Sequence, residues 1–146
     1  MGYSPLNAYA IGTIGCHFPK EEKLKSKKRI ESLFRNGRSF SVYPYRVIWM
    51  YTSLPGASAV QAGFSVPLSQ FSRATDRNRI KRVTREAWRL NKKVLFDELL
   101  ERKLQMAVFF VFTAKKIIPF ETIQGKISVV LNRLITELPA APGLSS

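Results

Sequence analysis

Cysteine and histidine are nearly missing from this sequence: Cys16 and His17 are single, and adjacent. One thiol excludes an internal disulfide, and one Cys beside one His cannot make a zinc site. Neighbours in a Gly-containing stretch are also poorly placed to act as a Cys/His nucleophile pair. The expected compartment is therefore a reducing one, the cytoplasm. Long apolar runs are lacking too, and none approaches the ~20 residues of a membrane-spanning helix. Residues 1–17 lack the basic start of a secretory signal, and Leu6 at the sixth position excludes N-myristoylation of Met1-Gly2. Acidic residues are the third scarcity, ten in all. Metal-dependent phosphodiester cleavage requires converging carboxylates. Only Asp97, Glu98 and Glu101 fall close together, and they read as a solvated acidic patch. No catalytic residue and no metal ligand is expected in the protein itself.

Basic residues, by contrast, are abundant. Twenty-four Lys and Arg leave the 146-residue chain with a formal charge of +14. Hydrophobic residues make up 45 %, with ten Phe, five Tyr and two Trp, so a folded core is expected and a disordered basic tail is excluded. The length suits one domain. A charge of this size repels itself and points to a polyanionic partner, nucleic acid before an anionic membrane surface. It is also unevenly spread. Residues 20–38 hold eight basic groups against three acids, and residues 73–93 hold nine against two.

The spacing of Ile30, Leu33 and Phe34 predicts a short helix over Ser26 to Asn36, with Ser26 as N-cap and Gly37 as its stop. Phe40 to Tyr51 is β-branched and aromatic and reads as a strand, with Pro44 an interruption near its start. Leu54-Pro55-Gly56 is a turn, and Val60 to Val66 a second strand. Met106 to Thr113 is a continuous apolar run, the pattern of a strand buried on both faces. From Phe120 onward Ile123, Ile127, Val130, Leu131, Leu134 and Leu138 recur at helical spacing. The expected fold class is α+β, a small sandwich whose sheet is covered on one face by helices. The expected domain is residues 18–138, between a flexible N-terminal extension (1–17) and a disordered C-terminal tail (139–146).

Residues 76–95 form a second helical stretch. At 100° per residue, Ile80, Val83, Thr84, Ala87, Trp88, Asn91, Val94 and Leu95 share one half of the cylinder. Asn78, Arg79, Lys81, Arg82, Arg85, Arg89, Lys92 and Lys93 take the other. A solvent-facing helix usually mixes signs at i,i+4, whereas here Arg82, Arg85 and Arg89 repel one another. Arg77, Arg79, Lys81 and Arg82 also crowd the positive end of the helix dipole, offset only by Asp76, the expected N-cap. A bound anion explains both penalties, and arginine suits a bidentate grip on phosphate.

The segment Asp76 to Arg89, DRNRIKRVTREAWR, resembles the signature helix of the bacterial ribonuclease P protein component. Phe18-Pro19-Lys20, Leu24-Lys25 and Arg29 to Gly37 are similar to that family's first helix and its lead-in. Gly63-Phe64-Ser65-Val66 is similar to the strand ahead of the signature. After that strand the family commonly has a Lys-Lys pair, and this chain has Pro67-Leu68-Ser69-Gln70 instead. The resemblance implies a central, mostly antiparallel sheet with a left-handed strand–helix–strand crossover. It also implies an accessory protein, not itself catalytic, in a 1:1 complex with a catalytic RNA subunit that holds magnesium and cuts the 5′ leader from precursor tRNA. By the same resemblance Arg77, Asn78, Arg79, Lys81, Arg82, Arg85 and Arg89 contact the RNA subunit, and a cleft between sheet and helices takes the leader.

Single-stranded RNA asks for aromatic platforms beside positive charge. The candidates for the leader are Phe18, Phe34, Tyr45 and Trp49, with Lys25 and Arg46. Phe34 and Trp49 fit a core equally well. A ribosomal-type or other structural RNA-binding protein would share the charge and fold class. A helix–turn–helix DNA binder would need a helix where Gly63 to Pro67 reads as strand, and a membrane-surface helix is disfavoured by an apolar face shared with a core.

Overall fold

The computed structural model describes residues 22–139. Four helices and four strands follow one another as α1 (Lys27–Asn36), β1 (Arg38–Val42), β2 (Tyr45–Tyr51), β3 (Val60–Ser65), α2 (Ala74–Asn91), α3 (Lys93–Glu101), β4 (Met106–Phe112) and α4 (Phe120–Thr136). The expected extension 1–17, which contains Cys16 and His17, lies outside the described residues, as do Phe18 and residues 140–146 of the expected tail.

α1 begins and ends as its sequence dictates. The Ser26 side chain accepts from the Arg29 amide, and the Gly37 amide bonds the Leu33 carbonyl. A Cβ on Gly37 would come within 2.5 Å of that carbonyl oxygen, so no larger residue fits. Phe40 to Tyr51 is not one strand. The chain reverses at Tyr43-Pro44, and β1 lies antiparallel on β2 with Arg38 opposite Trp49 and Val42 opposite Tyr45. Proline has no amide hydrogen for a ladder, so it serves the turn rather than the strand.

The sheet order is β1-β2-β4-β3. β2 pairs antiparallel with β4, while β3 and β4 run parallel, joined through α2 and α3. β4 is therefore flanked on both sides, which explains its unbroken apolar run.

Side chains alternate across this sheet into two clusters. Tyr45, Val47, Trp49, Val60, Ala62, Met106, Val108, Phe110 and Phe112 point to one face, where Ile80, Trp88, Leu95, Leu99, Ile127 and Leu131 of α2, α3 and α4 cover them. Ile48 and Ala107 point to the other, packed with Leu24 and Leu33 and bordered by Ile30, Met50, Phe109 and Val111. The expectation of helices on a single face is thus corrected. Three helices share one face, and α1 lies alone on the other, because β2 and β4 carry apolar residues at both parities.

The expected helix over 76–95 is two helices, broken at Lys92. Its N-cap is Arg73, which makes no side-chain capping bond, and Asp76 sits instead in the first turn, facing the positive end of the helix dipole.

Candidate nucleic-acid interface

Residues on the buried side of α2 are held by the core, and this fixes where its cations point. Thr84 donates to the Ile80 carbonyl (2.8 Å) and shares a 2.6 Å hydrogen bond with the Tyr45 hydroxyl. Trp88 packs edge-on against Phe64, Phe96 and Phe110. Asn78, Arg79 and Arg82 are consequently exposed, Lys81 and Arg85 partly exposed, and the Arg89 side chain largely covered, with 10 % exposed.

The arginines of this face are not equivalent. Arg77 turns back on its own helix start, its Nη1 donating to the carbonyls of Phe71 (2.7 Å) and Ser72 (2.9 Å). Arg89 is gripped in a two-point pair by Glu86. Burial first, and the neighbouring Arg82 second, pull the Arg85 guanidinium below its usual value. A group so placed is relieved by any anion that approaches it.

A cavity of about 540 Å³ opens between this face and the edge of the sheet. Arg82, Arg85, Glu86 and Arg89 form one wall, Ala62, Gly63 and Phe64 of β3 the floor, and Lys23, Leu24 and Lys25 the other wall. The segment before α1 reaches this place by adding to β3: Lys23 bridges Ala62, and the Leu24 amide donates to the Ala62 carbonyl at 3.0 Å. The two basic regions of the sequence, some 40 residues apart, meet here. Lys25, expected on the leader side, shares one groove with arginines expected on the RNA-subunit side.

The α1 face of the sheet continues from that groove. Gly63, Phe109, Ile48 and Ser39 stand opposite one another in a row across the strands, and Ser65, Val111, Arg46 and Ser41 form the next. Phe34 of α1 meets Phe109 edge-on, ring centroids 5.2 Å apart, and stays 49 % exposed. A Cβ on Gly63 would come within 2.5 Å of the Phe109 ring, so glycine lets that ring lie across the strand. The second row is open, with Arg46 and Ser41 exposed and Val111 and Ser65 half-covered.

Two expected leader contacts are corrected. Tyr45 is 1 % exposed and Trp49 2 %, both on the face covered by α2, α3 and α4. Period-2 alternation puts them opposite Arg46, so they are core and cannot stack on a base. Phe34 and Arg46 are in reach of solvent, and Phe18 lies outside the described residues. Phe109 was missed because a continuous apolar run hides which of its members an incomplete helical layer leaves bare.

Other expectations shift as well. Lys92 is not on the cationic face but buried, its Nζ 2.5 Å from Glu22 Oε1. The acidic cluster is partly consumed by ion pairs, Lys93 with Asp97 at 2.7 Å and Arg102 with Glu98 at 2.6 Å. In the loop Pro67-Leu68-Ser69-Gln70, Gln70 Nε2 donates to the Thr113 carbonyl at 2.7 Å. Among the described residues no three His, Cys, Asp or Glu side chains come together, and no helix is long and apolar enough to cross a membrane.

The sequence pattern of the Ribonuclease P family matches residues 18–134. The chain is 34 % identical over 122 residues to the ribonuclease P protein component of Porphyromonas gingivalis, spanning 84 % of this chain and 89 % of that one. To the component from Chlorobium phaeobacteroides it is 30 % identical over 125 residues, 79 % and 86 % of the two chains. Its fold is similar to that of the RNase P protein from Thermotoga maritima, with a TM-score of 0.61 at 23 % identity over 77 % of this chain and 96 % of that one. The Staphylococcus aureus RNase P protein is equally similar in fold, with a TM-score of 0.61 at 20 % identity over 79 % and 96 %.

Proposed function

The chain belongs to the bacterial ribonuclease P protein family, and from that membership we propose how its two surfaces serve tRNA processing. The outer face of α2 binds the catalytic RNA subunit through its phosphates. Asn78, Arg79, Lys81, Arg82 and Arg85 carry this contact, with Arg89 at the margin of the groove. Arg77 supports it from behind by holding the loop ahead of α2. The open part of the α1 face takes the single-stranded 5′ leader of precursor tRNA, with Phe34 and Phe109 as an aromatic platform, Arg46 and Lys25 as its charges, and Phe18 as a further contact. The observation that carries this reading is the meeting of the segment before α1 with the cations of α2 in one groove beside a partly exposed aromatic pair.

The protein's own part is binding and positioning. Stacking on exposed rings tolerates any base sequence, which suits a leader that varies from one precursor to the next. Phosphate contacts from arginine set register without reading sequence. Cleavage belongs to the RNA subunit, which holds the magnesium ions, and the assembly is one protein with one RNA in the cytoplasm.

Reconstitution tests this directly. Protein freed of RNA is incubated with precursor tRNA and magnesium, with and without ribonuclease P RNA. Correct 5′ maturation is expected only where the RNA is present, with the complex of both subunits preferring precursor to leaderless tRNA. Accurate cleavage by the protein alone would overturn the assignment of catalysis. Affinity for the RNA subunit that stayed flat with salt would overturn the phosphate contact, since each phosphate neutralised contributes roughly 0.7–0.9 to the slope of log K against log salt.

A further inference from the structure

Lys92 is the only charged side chain among the described residues that is buried. It stands at the break between α2 and α3, over the ring of Phe96 at 5.4 Å, with its Nζ on Glu22 Oε1. The side chains of the pair are 5 % and 13 % exposed, and 70 residues separate them in sequence. A buried ion pair is a poor stabiliser, because desolvation of both charges takes back most of what their attraction gives. What it does supply is one fixed geometry, since neither charge tolerates being left buried and alone.

The geometry it fixes is that of the segment ahead of α1. Beyond the pair, residues 22–25 are held to the sheet by the bridge of Lys23 to Ala62, the Leu24 amide bond, and the burial of Leu24. An isolated bridge on an edge strand is a weak tether. The same short segment carries Lys23 and Lys25 on the wall of the groove opposite Arg82 and Arg85.

From this arrangement we infer that Glu22 and Lys92 are a clasp that positions Lys23 and Lys25 against the leader strand, without touching RNA themselves. The inference rests on the function proposed above and assigns to this pair a role in substrate selection. With the clasp open, Glu22 turns to water and carries the segment with it. The groove then loses one wall, while the cationic face of α2, held from behind by the core, stays where it is.

The test uses the full chain assembled with ribonuclease P RNA. Lys92→Met keeps apolar bulk over Phe96 and removes the charge. Affinity for the RNA subunit should stay within about twofold, whereas the preference for precursor over leaderless tRNA should fall about tenfold, the scale of one charge-assisted contact. Replacing Lys23 and Lys25 together by alanine should cause at least as large a fall, and Lys92→Met added to that double variant should cost less than about twofold more, because the clasp acts through those two lysines. Should Lys92→Met melt below the assay temperature, Glu22→Gln, which alters the segment rather than the helical layer, decides by the same measurements. An opened clasp that leaves the precursor preference intact overturns the inference, as does a loss that multiplies fully with that of the Lys23→Ala, Lys25→Ala double variant. A parent enzyme without precursor preference would instead overturn the leader groove itself.

Discussion

On one face of the sheet Val47, Val60, Val108 and Phe110 lie beneath three helices with almost no exposure. On the other, Phe109 and Val111 are half covered by α1 and the short segment before it, and Arg46 stands in open solvent. The same strands build both faces, so neighbouring residues of one strand have opposite fates. Phe109 and Phe110 are adjacent, yet one borders the proposed leader surface and the other is locked among Tyr45, Phe64 and Trp88. Stability is concentrated where burial is complete. Outside the small buried cluster of Leu24, Leu33, Ile48 and Ala107, the second face is free to be shaped for a ligand, because little of the fold depends on its open part.

Mutations of opposite parity should therefore separate stability from RNA binding. The largest effect is expected from Phe110→Ala. Removing a fully buried ring that contacts three other aromatics should cost about 3–5 kcal/mol in denaturant unfolding, with RNA affinity per folded molecule unchanged. A loss under 1 kcal/mol would mean the two faces are not as unequal as their burial indicates.

Next come the exposed contacts. Phe34→Ala should leave the melting temperature nearly unchanged and reduce preference for precursor over leaderless tRNA by about 1–3 kcal/mol, the scale of one base stacked on one ring. Arg79→Ala should do the reverse among RNA readouts, weakening assembly with the RNA subunit by about 1–3 kcal/mol and sparing the leader preference. Equal effects of the two variants on both readouts would merge the surfaces that are distinguished here.

Tyr45→Phe sharpens the comparison from the buried side. Loss of its hydrogen bond to Thr84 should cost about 1 kcal/mol, without change in any RNA affinity. Burial raises the Tyr45 phenol to about 12 from an ordinary 10.0, against a smaller opposing pull from the Thr84 hydrogen bond. A raised value means the neutral phenol is favoured by folding. Its contribution is complete below the unfolded value and is lost as pH rises through the folded one. Between pH 10 and 12 the parent should lose stability more steeply than Tyr45→Phe, as alkaline melts would record; parallel curves would place that phenol in contact with water.

The smallest effect is the salt slope. Arg82→Ala removes one exposed cation and should lower the slope of assembly against log salt by roughly 0.7–0.9. An unchanged slope would exclude a phosphate contact at that position.

Much of the helical part was legible in the sequence, because a helix face is a local property. Spacing alone put Ile80, Thr84, Ala87 and Trp88 on the inward side of α2 and Arg79, Arg82 and Arg85 on the outward side, and Ser26 and Gly37 bounded α1 by chemistry that acts within four residues. The strand register was less legible. Both parities of β2 and β4 are apolar, so alternation could define two faces without telling which one three helices would cover. That choice decides that Tyr45 and Trp49 are core while Phe109 is half bare, and it depends on where α1 and α4 dock. Lys92 shows the same limit for charge. By helical spacing it belongs with the solvated cations, and only a partner arriving from the segment before α1 allows it to be buried. The sequence by itself determined the cationic helix and the family to which the chain belongs, since both are written in contiguous residues. The tertiary structure alone decided which aromatics meet RNA and that two distant basic segments share one groove, because burial and juxtaposition arise between elements and not within them.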